Sequence, residues 1–267
     1  MNIRNINQEH SAHLLEVFSG IQGEGLNVGT RQIFIRFALC DLRCHFCDSS
    51  NTWKMPEICR IENTPGLRDF QNHLNPVTPE KLLTWVQQQN KPFIHDSISL
   101  TGGETLIHTL FLIKFLPQVR DLTKLPVYLE TGGHRPQQLA QLIPHLDLVG
   151  MDIKLPSVSG ENHWQAHKEF LKLCYESKLE VFVKIIVSKN TELMDLKIAG
   201  EIVRNVNPGS PIFLQPVTPL DTPTGSINHN LISSPSPKQI LMWQVLMKEF
   251  VKEVRVLPQT HKILNQL

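Results

Sequence analysis

Short apolar runs rich in β-branched residues alternate with longer amphipathic patterns along most of the 267-residue chain. The runs predict strands at 32–39, 97–100, 127–130, 148–152, 181–187, 212–214 and 254–257. The patterns between them predict helices at 79–89, 107–121, 135–145, 161–178, 192–206 and 237–251. Thr78 and Ser236 each precede a proline, as N-caps do when proline opens the first turn. Strands that alternate with helices form parallel sheets with helical crossovers, so the sequence predicts an α/β fold.

Most of the predicted strands end in polar or glycine-rich segments. These segments are 36–40, Thr101-Gly102-Gly103-Glu104, Glu130-Thr131-Gly132-Gly133, Asp152-Ile153-Lys154 and Gln215-Pro216. Sites in β/α barrels lie at the carboxyl ends of the strands, whereas an open doubly wound sheet binds ligands near one switch point. Contributions from so many strands favour a closed or partly closed barrel, and six β/α units are too few for a full one. The sequence therefore predicts one domain over 1–267, built as an incomplete (β/α)6-type barrel.

Two proline-containing segments, at about 54–77 and 218–236, interrupt the alternation. The first is predicted to be a loop or small insertion after the segment that contains three clustered cysteines. The second is predicted to be a long loop, of the kind that often forms a lid or binding segment. The residues after the last predicted strand form a C-terminal extension.

The bulk composition excludes several classes of protein. The 26 basic and 25 acidic residues leave a net charge of +1, so we expect no nucleic-acid or membrane partner. No run of about 18 or more apolar residues exists, and the first ten residues lack a secretory signal. Five cysteines, an odd number with three of them clustered, argue against a secreted disulfide framework. We expect a cytoplasmic protein.

Cys40, Cys44 and Cys47 form the spacing Cys-x3-Cys-x2-Cys. Thiolates are the usual ligands of a cuboidal iron–sulfur cluster, and three ligands for four iron corners leave one iron open to a small molecule. A zinc site usually adds a second close pair of ligands, but Cys59 and Cys174 stand alone. The spacing therefore indicates a 4Fe–4S cluster. A zinc-bound structural or nucleic-acid-binding module is the alternative from another class, and it predicts a colourless protein.

Thr101-Gly102-Gly103-Glu104 directly follows a predicted strand. Two glycines allow a ligand to approach the backbone, and the carboxylate can accept a hydrogen bond from an ammonium or a hydroxyl. This segment lies one β/α unit after the cysteine segment. The pair of motifs resembles that of the radical S-adenosylmethionine superfamily. That resemblance implies a radical S-adenosylmethionine barrel with one 4Fe–4S cluster per subunit and S-adenosylmethionine on the open iron. It also implies that Gly102, Gly103 and Glu104 hold the methionyl end, with Phe46 near the adenine.

Further segments bear on the substrate. The segment 19–25 is a glycine-punctuated loop that offers amide and carboxylate groups to a planar polar ligand, unless it is an ordinary turn. Arg36 is suited to bidentate binding of a carboxylate, although a structural salt bridge is an equal alternative. Asp48 and Ser49 are suited to bind a hard cation such as magnesium through oxygen, or else to cap a helix.

Together with the C-terminal segment 254–262, these segments resemble the 7-carboxy-7-deazaguanine synthase family, from Gly20 to the end of the chain. The most specific elements are Ile21-Gln22-Gly23-Glu24-Gly25 and Cys47-Asp48-Ser49. The resemblance implies a carbon–nitrogen lyase of queuosine and 7-deazapurine biosynthesis, whose product serves either transfer-RNA modification or a secondary metabolite. It implies conversion of 6-carboxy-5,6,7,8-tetrahydropterin to the purine analogue 7-carboxy-7-deazaguanine with loss of ammonia. Magnesium assists, and S-adenosylmethionine is regenerated.

The resemblance assigns individual residues to the ligands. Contacts to the pterin fall to Ile21, Gln22, Gly23, Glu24, Arg36 and Thr101, with Pro258, Gln259 and His261 in a terminal tail that closes over it. Contacts to S-adenosylmethionine fall to Gly103, Asp152, Ile153, Lys154 and Gln215, with Glu130 and Thr131 lining the same cavity. Ser49 takes the magnesium position, where many relatives carry threonine, and Thr105 replaces a common proline. A homodimer and a flavodoxin or ferredoxin as electron donor are the implied partners.

One alternative keeps the cluster and changes the substrate. A radical activating enzyme would install a glycyl radical on a protein partner. Such an enzyme needs a docking surface for a macromolecule, and it leaves Arg36 and the 22–25 loop without a purpose.

Overall fold

The computed structural model describes residues 10–218 and 233–266. Of the predicted long loop at 218–236, residues 219–232 lie outside the described residues. The described strands are β1 (Leu14–Ile21), β2 (Arg31–Phe37), β3 (Ile58–Glu62), β4 (Phe70–Leu74), β5 (Ser97–Gly102), β6 (Val127–Thr131), β7 (Leu148–Asp152), β8 (Glu180–Val187), β9 (Ile212–Pro216) and β10 (Val254–Val256). The described α-helices are α1 (Pro79–Gln89), α2 (Thr109–Thr123), α3 (Pro136–Leu142), α4 (Pro156–Ser159), α5 (Trp164–Glu176), α6 (Leu193–Val206), α7 (Pro237–Met247) and α8 (Thr260–Ile263).

These strands form one sheet in the order β10-β9-β8-β7-β6-β5-β2-β1-β3-β4. All neighbours from β2 through β5 and on to β10 are parallel. Gly25 after β1 lies against the ring of Phe182 on β8. Since these strands are far apart in the strand order, this contact shows that the sheet curves. The predicted α/β fold, an incomplete barrel of six β/α strands with additions at both edges, is therefore confirmed.

Two regions differ from the prediction. The 54–77 segment contains the antiparallel pair β3 and β4, and β3 extends the sheet beside β1. β1 itself includes the first residues of the predicted 19–25 loop. β1 as a whole, Leu14–Ile21, was not predicted as a strand. In β1 and β3, polar residues that are paired across the sheet interrupt the apolar alternation that identifies a strand. Glu16 of β1, for example, is 5% exposed and binds two arginines.

The two faces of the sheet carry different side chains. Successive residues of a strand point to opposite faces. On β8, Val183 and Ile185 belong to the apolar core with the helices, whereas Phe182 belongs to a smaller cluster with Tyr128 and Phe213. The Phe182 and Phe213 rings meet edge to face at 5.2 Å between centroids. This aromatic cluster fills part of the concave face and leaves the carboxyl ends of the strands free for polar groups.

Among the described residues, no helix has both the length and the apolar character needed to cross a membrane.

Candidate active site

A cavity lies on the concave face at the carboxyl ends of the parallel strands. Among the described residues, its wall brings together every predicted site residue except Ile153 and Pro258. The predicted cluster and metal residues in the wall are Cys40, Cys44, Cys47 and Ser49. The predicted cofactor residues there are Phe46, Gly102, Gly103, Glu104, Glu130, Thr131, Asp152, Lys154 and Gln215. The predicted substrate residues there are Ile21, Gln22, Gly23, Glu24, Arg36, Thr101, Gln259 and His261.

The two remaining residues lie elsewhere for simple reasons. Asp152 and Lys154 face the cavity, so Ile153 between them faces the other way and packs in the apolar core, where it is 1% exposed. Its backbone N–H donates to the carbonyl of Lys184 over 2.9 Å. Pro258 is exposed to solvent.

The cysteine segment contributes three thiols to the cavity wall. Cys44 is buried, and Cys40 and Cys47 are partly exposed. Burial raises the pKa of Cys40 to about 12 and also raises that of Cys44, so a thiolate here needs a bound cation. Three thiolates can bind three separate iron corners of a 4Fe–4S cluster, so this donor set fits such a cluster.

Polar contacts from other crossover segments fix the cysteine segment. Asp41 Oδ1 lies 3.0 Å from Nε2 of His134, and Arg135 donates to Asp41 Oδ2 over 2.7 Å. Partial burial would raise the pKa of Asp41, but these two partners hold it well below its usual value. The backbone N–H of Arg43 donates to Glu161 over 2.7 Å. The cysteine segment is therefore held by the loops after β6 and β7.

The Gly-Gly-Glu segment packs its backbone directly on the strand that leads to the cysteines. Gly103 N–H donates to Phe37 O over 3.0 Å, and Glu104 N–H donates to Leu39 O over 2.8 Å. A Cβ at Gly103 would lie 2.0 Å from Leu39 O, and Gly102 has a φ of +123°. Only glycine permits this approach.

The carboxylate of Glu104 accepts its hydrogen bonds from groups of the protein itself. It accepts hydrogen bonds from the hydroxyl of Thr131 at 2.8 Å and from Gly132 N–H at 2.9 Å. It also accepts from Leu106 N–H at 3.1 Å. Glu104 is 1% exposed, so it ties the end of β5 to the end of β6.

Lys184 of β8 is the central cation of the cavity. It forms ion pairs with Glu24 of the 22–25 loop and with Asp152 of β7. Asp152 also binds Lys154, whose ammonium lies 5.3 Å from the centroid of the Phe46 ring. These charges link the predicted substrate loop to the predicted cofactor strand.

Burial and ion pairing shift the pKa values of three cavity carboxylates, Glu24, Asp152 and Glu130, in different directions. Burial would raise the pKa of Glu24 and of Asp152, but Lys184 holds the first below its usual value, and Lys154 with Lys184 does so for the second. Burial raises the pKa of Glu130, which accepts hydrogen bonds from Thr101 Oγ1 and Gln22 Nε2, each over 2.8 Å.

The C-terminal segment covers the substrate loop. Gln259 Nε2 donates to Glu24 over 2.9 Å and to Asp48 over 3.0 Å, and Lys262 pairs with Asp48 at 2.9 Å. Burial would raise the pKa of Asp48, but Lys262 and Gln259 lower it to about 2. A Cβ at Gly23 would lie 2.2 Å from Nδ1 of His261, so glycine is needed at that contact.

Ser49 and Gln215 each have a polar atom available to a ligand. Ser49 occupies the N-cap position of a 3-10 turn at Ser50–Trp53, but its side chain makes no capping hydrogen bond in the described structure. Its hydroxyl lies 3.9 Å from Cys47 Sγ. Gln215 is 2% exposed and donates to Glu24 over 3.1 Å, while its Oε1 is buried without a partner among the described residues. An unpaired buried carbonyl costs about 1–3 kcal/mol, which a bound ligand would recover.

Lys184, Lys262 and the ion pair between Lys262 and Asp48 were not predicted from the sequence. A signal existed for Lys184, because it is the one charge inside the apolar run 181–187. None existed for Lys262 and Asp48, whose contact joins residues 214 positions apart.

Comparison with known proteins agrees with this fold. The profile of the Radical SAM superfamily matches residues 34–195, more than half of the chain. QueE from Escherichia coli has the same fold, with a TM-score of 0.58, 17% identity and coverage of 97% of this chain and 98% of that one. The structure of anSMEcpe with bound AdoMet has a TM-score of 0.54 at 16% identity, over 81% of this chain and 58% of that one. The fold and the cysteine site define a radical S-adenosylmethionine protein.

The curated relatives narrow this class. A 7-carboxy-7-deazaguanine synthase of Geobacter sulfurreducens is 42% identical over 96% of this chain and 98% of its own length. One from Methanocaldococcus jannaschii is 27% identical over 94% of this chain and 99% of its own length. The chain belongs to the 7-carboxy-7-deazaguanine synthase family. Membership implies a 4Fe–4S cluster and S-adenosylmethionine as cofactors and a small molecule as substrate, and it disfavours the alternatives of a zinc module and a glycyl-radical activating enzyme.

Proposed function

We propose that this chain converts 6-carboxy-5,6,7,8-tetrahydropterin to 7-carboxy-7-deazaguanine with release of ammonia, as a lyase of queuosine and 7-deazapurine biosynthesis. The observation that carries the proposal is the cavity itself. One wall holds Cys40, Cys44 and Cys47, and the same cavity holds the 22–25 loop and Arg36. A cluster site and a site for a planar carboxylated ligand are thus in one enclosure.

Residues at the carboxyl ends of the strands are assigned to the cofactors. Cys40, Cys44 and Cys47 would hold a 4Fe–4S cluster, and the cluster together with S-adenosylmethionine would supply the radical chemistry for hydrogen abstraction from the pterin. Phe46 and Lys154 would hold the adenosyl and methionyl portions, and Gln215 Oε1 would accept a hydrogen bond. Glu104 acts through Thr131 and shapes the Gly-Gly backbone for the methionyl end.

The substrate half is assigned to groups on β1, β2, β5 and β6. A pterin ring presents N–H donors along one edge, and Glu24 and Glu130 are the buried acceptors of this half. Arg36 would bind the pterin carboxylate. Gln259 and His261 would close over the ring and exclude water from the radical.

We propose that Ser49 is a magnesium ligand. Magnesium prefers oxygen donors and keeps several waters, so a hydroxyl and the substrate carboxylate would complete its sphere. The hydroxyl of Ser49 lines the cavity and makes no capping hydrogen bond in the described structure, which supports this role. Magnesium would then hold the carboxylate still while bonds migrate.

Three further properties are proposed. Cys40 and Cys47 are partly exposed, which suits electron delivery to the cluster from a flavodoxin or ferredoxin. Exposed apolar residues on α7, Leu241 and Val245 at 61% and 66%, support a homodimer. The clustered free thiols favour a cytoplasmic site of action.

The proposal is tested by anaerobic reconstitution of the iron–sulfur protein. The protein is incubated with 6-carboxytetrahydropterin, S-adenosylmethionine, a reductant and magnesium, and the products are identified by mass spectrometry. We expect 7-carboxy-7-deazaguanine and ammonia, with a lower rate when magnesium is omitted. A reconstituted protein that cleaves S-adenosylmethionine but leaves the pterin unchanged would contradict the assignment of substrate.

A further inference from the structure

Glu16 of β1 lies between two arginines of the neighbouring strands. In the sheet register, Glu16 is opposite Arg36 of β2 on one side and Arg60 of β3 on the other. Arg36 Nε donates to Glu16 Oε1 over 2.7 Å, and Arg60 Nε donates to Oε2 over 2.7 Å. Glu16 is 5% exposed, so both of its oxygens are used at a buried position.

This arrangement orients the guanidinium of Arg36. Its Nε is held by Glu16, and its Cζ lies 5.8 Å from the centroid of the Phe18 ring. Phe18 in turn stacks on Phe34 with 5.0 Å between centroids. The two terminal nitrogens of Arg36 have no hydrogen-bond partner in the described part of the chain, and Arg36 lines the cavity. They are therefore free to bind a carboxylate in bidentate fashion.

Arg60 also decides the charge of this cluster. Glu16 and Arg36 alone would form a neutral pair, which attracts an anion only weakly. The second guanidinium brings the cluster of Glu16, Arg36 and Arg60 to a net charge of +1. Arg60 is itself fixed by Phe70, 4.6 Å from its Cζ, on the hairpin partner strand β4.

We propose that Glu16 and Arg60 are positioning residues that make Arg36 selective for the carboxylate of the substrate. Glu16 holds the guanidinium in place, and Arg60 supplies the positive charge that Glu16 would otherwise cancel. This inference rests on the proposed function, and it assigns the β3–β4 hairpin to substrate selection. Neither residue contacts the pterin; both act through Arg36.

The test compares two competitive inhibitors that differ by one carboxylate, pterin-6-carboxylate and pterin, on the anaerobically reconstituted enzyme. For Arg60→Gln and for Glu16→Gln we expect the KM of the substrate and the Ki of pterin-6-carboxylate to rise roughly five- to tenfold. The Ki of pterin and kcat should stay within about twofold. Arg60→Lys keeps the charge and should restore most of the affinity. Arg204→Gln is the matched control, because Arg204 is an exposed arginine stacked on Phe250 at 5.2 Å, outside the cavity wall.

The outcomes separate this inference from the proposed function. A wild-type enzyme that forms no product, and that in a direct binding titration binds pterin-6-carboxylate no more tightly than pterin, contradicts both. A wild-type enzyme that forms product, together with an Arg60→Gln variant that keeps the preference for pterin-6-carboxylate, overturns the inference alone. For Glu16→Gln, net charge by itself predicts tighter binding of the carboxylate, so a lower Ki would overturn the positioning role of Glu16. Unchanged cluster absorbance and S-adenosylmethionine affinity show that a variant is folded.

Discussion

Leu129 and Glu130 are consecutive residues of β6 that face opposite sides of the sheet. Leu129 is fully buried among apolar side chains under the helices. Glu130 faces the cavity, where burial raises its pKa, and its hydrogen-bond partners among the described residues are hydroxyl and amide groups. The convex face gains free energy from apolar burial. The concave face holds desolvated charges, which lower stability unless they are paired. Changes on the first face should act on stability alone. Changes on the second should act on catalysis, with an added loss of stability where one partner of an ion pair is removed.

The largest contrast is expected between two buried cysteines. Cys44→Ala removes a cluster ligand and should abolish reductive cleavage of S-adenosylmethionine, because an incomplete site cannot hold the cluster. Cys174→Ala, on the convex side at 0% exposure, should lower the melting temperature and leave the cluster in place. Iron content, absorbance and cleavage measure the difference. Cleavage that survives in Cys44→Ala would refute the cluster assignment.

Lys184→Met tests the pairing of charges on the concave face. Glu24 and Asp152 would lose a buried partner, so we expect a loss of roughly 3–5 kcal/mol in stability. Turnover should fall as well, since the same ion pairs fix the substrate loop. Lys172→Met is the control, because its pair with Glu176 at 3.6 Å is on the surface and should contribute little.

The effect of Lys184→Met also has a definite pH dependence. In the wild type, the lowered pKa values of Glu24 and Asp152 stabilise the fold above the ordinary carboxyl range, and this contribution is lost as pH falls through the folded values. The pKa of Lys184 is raised, so its contribution to stability is complete at every pH below the ordinary lysine pKa. This contribution is lost only when the pH rises through the pKa of the folded state. Without Lys184, the buried carboxylates should bind protons more readily. The destabilisation measured by denaturant titration should therefore be smaller at pH 5 than at pH 8, and a constant difference would contradict this pairing.

The neighbours on β6 give the most direct comparison of the two faces. Leu129→Ala should cost about 2–5 kcal/mol in unfolding free energy, with S-adenosylmethionine affinity retained below the melting temperature. Glu130→Gln preserves shape and removes a buried charge, so stability should change little. Its turnover should fall roughly tenfold to a hundredfold, because a carboxylate acceptor is lost. Thermal melts and steady-state kinetics on both variants check this, and a stability loss in Glu130→Gln equal to that in Leu129→Ala would refute the contrast.

The smallest effect is expected at the proposed magnesium ligand. Ser49→Ala should slow turnover about tenfold and weaken the response to magnesium, with cluster absorbance intact. Ser50→Ala alters the neighbouring hydroxyl, which is outside the cavity wall, and should behave as wild type. A magnesium response in Ser49→Ala identical to that of wild type would remove Ser49 from this role.

The sequence predicted the parts of the fold that obey simple periodicities. Every predicted helix and strand has a counterpart within a few residues, and both predicted caps exist: Thr78 accepts from Lys81 N–H at 3.4 Å, and Ser236 forms a capping box with Gln239. The helix predicted from 107 starts at Thr109, because a 3-10 turn at Thr105–His108 comes first. β1, β3 and β4 were not predicted, since partners distant in sequence satisfy polar residues of β1 and β3.

The candidate site was likewise predictable from the sequence only in part. Local spacing and strand-end position were enough to place the cysteines and the Gly-Gly segment. The internal use of the Glu104 carboxylate was not visible, because its partners Thr131 and Gly132 belong to the next strand. Lys184 of β8 joins Glu24 of the 22–25 loop to Asp152 of β7, and only the folded sheet brings them together.

The central claim is that one cavity performs a radical ring contraction in which S-adenosylmethionine acts as a true cofactor. The most direct test counts molecules: 7-carboxy-7-deazaguanine formed against S-adenosylmethionine consumed, under anaerobic conditions with excess substrate. The account predicts many products for each S-adenosylmethionine lost. One S-adenosylmethionine consumed for each product, or cleavage without any deazaguanine, would contradict it.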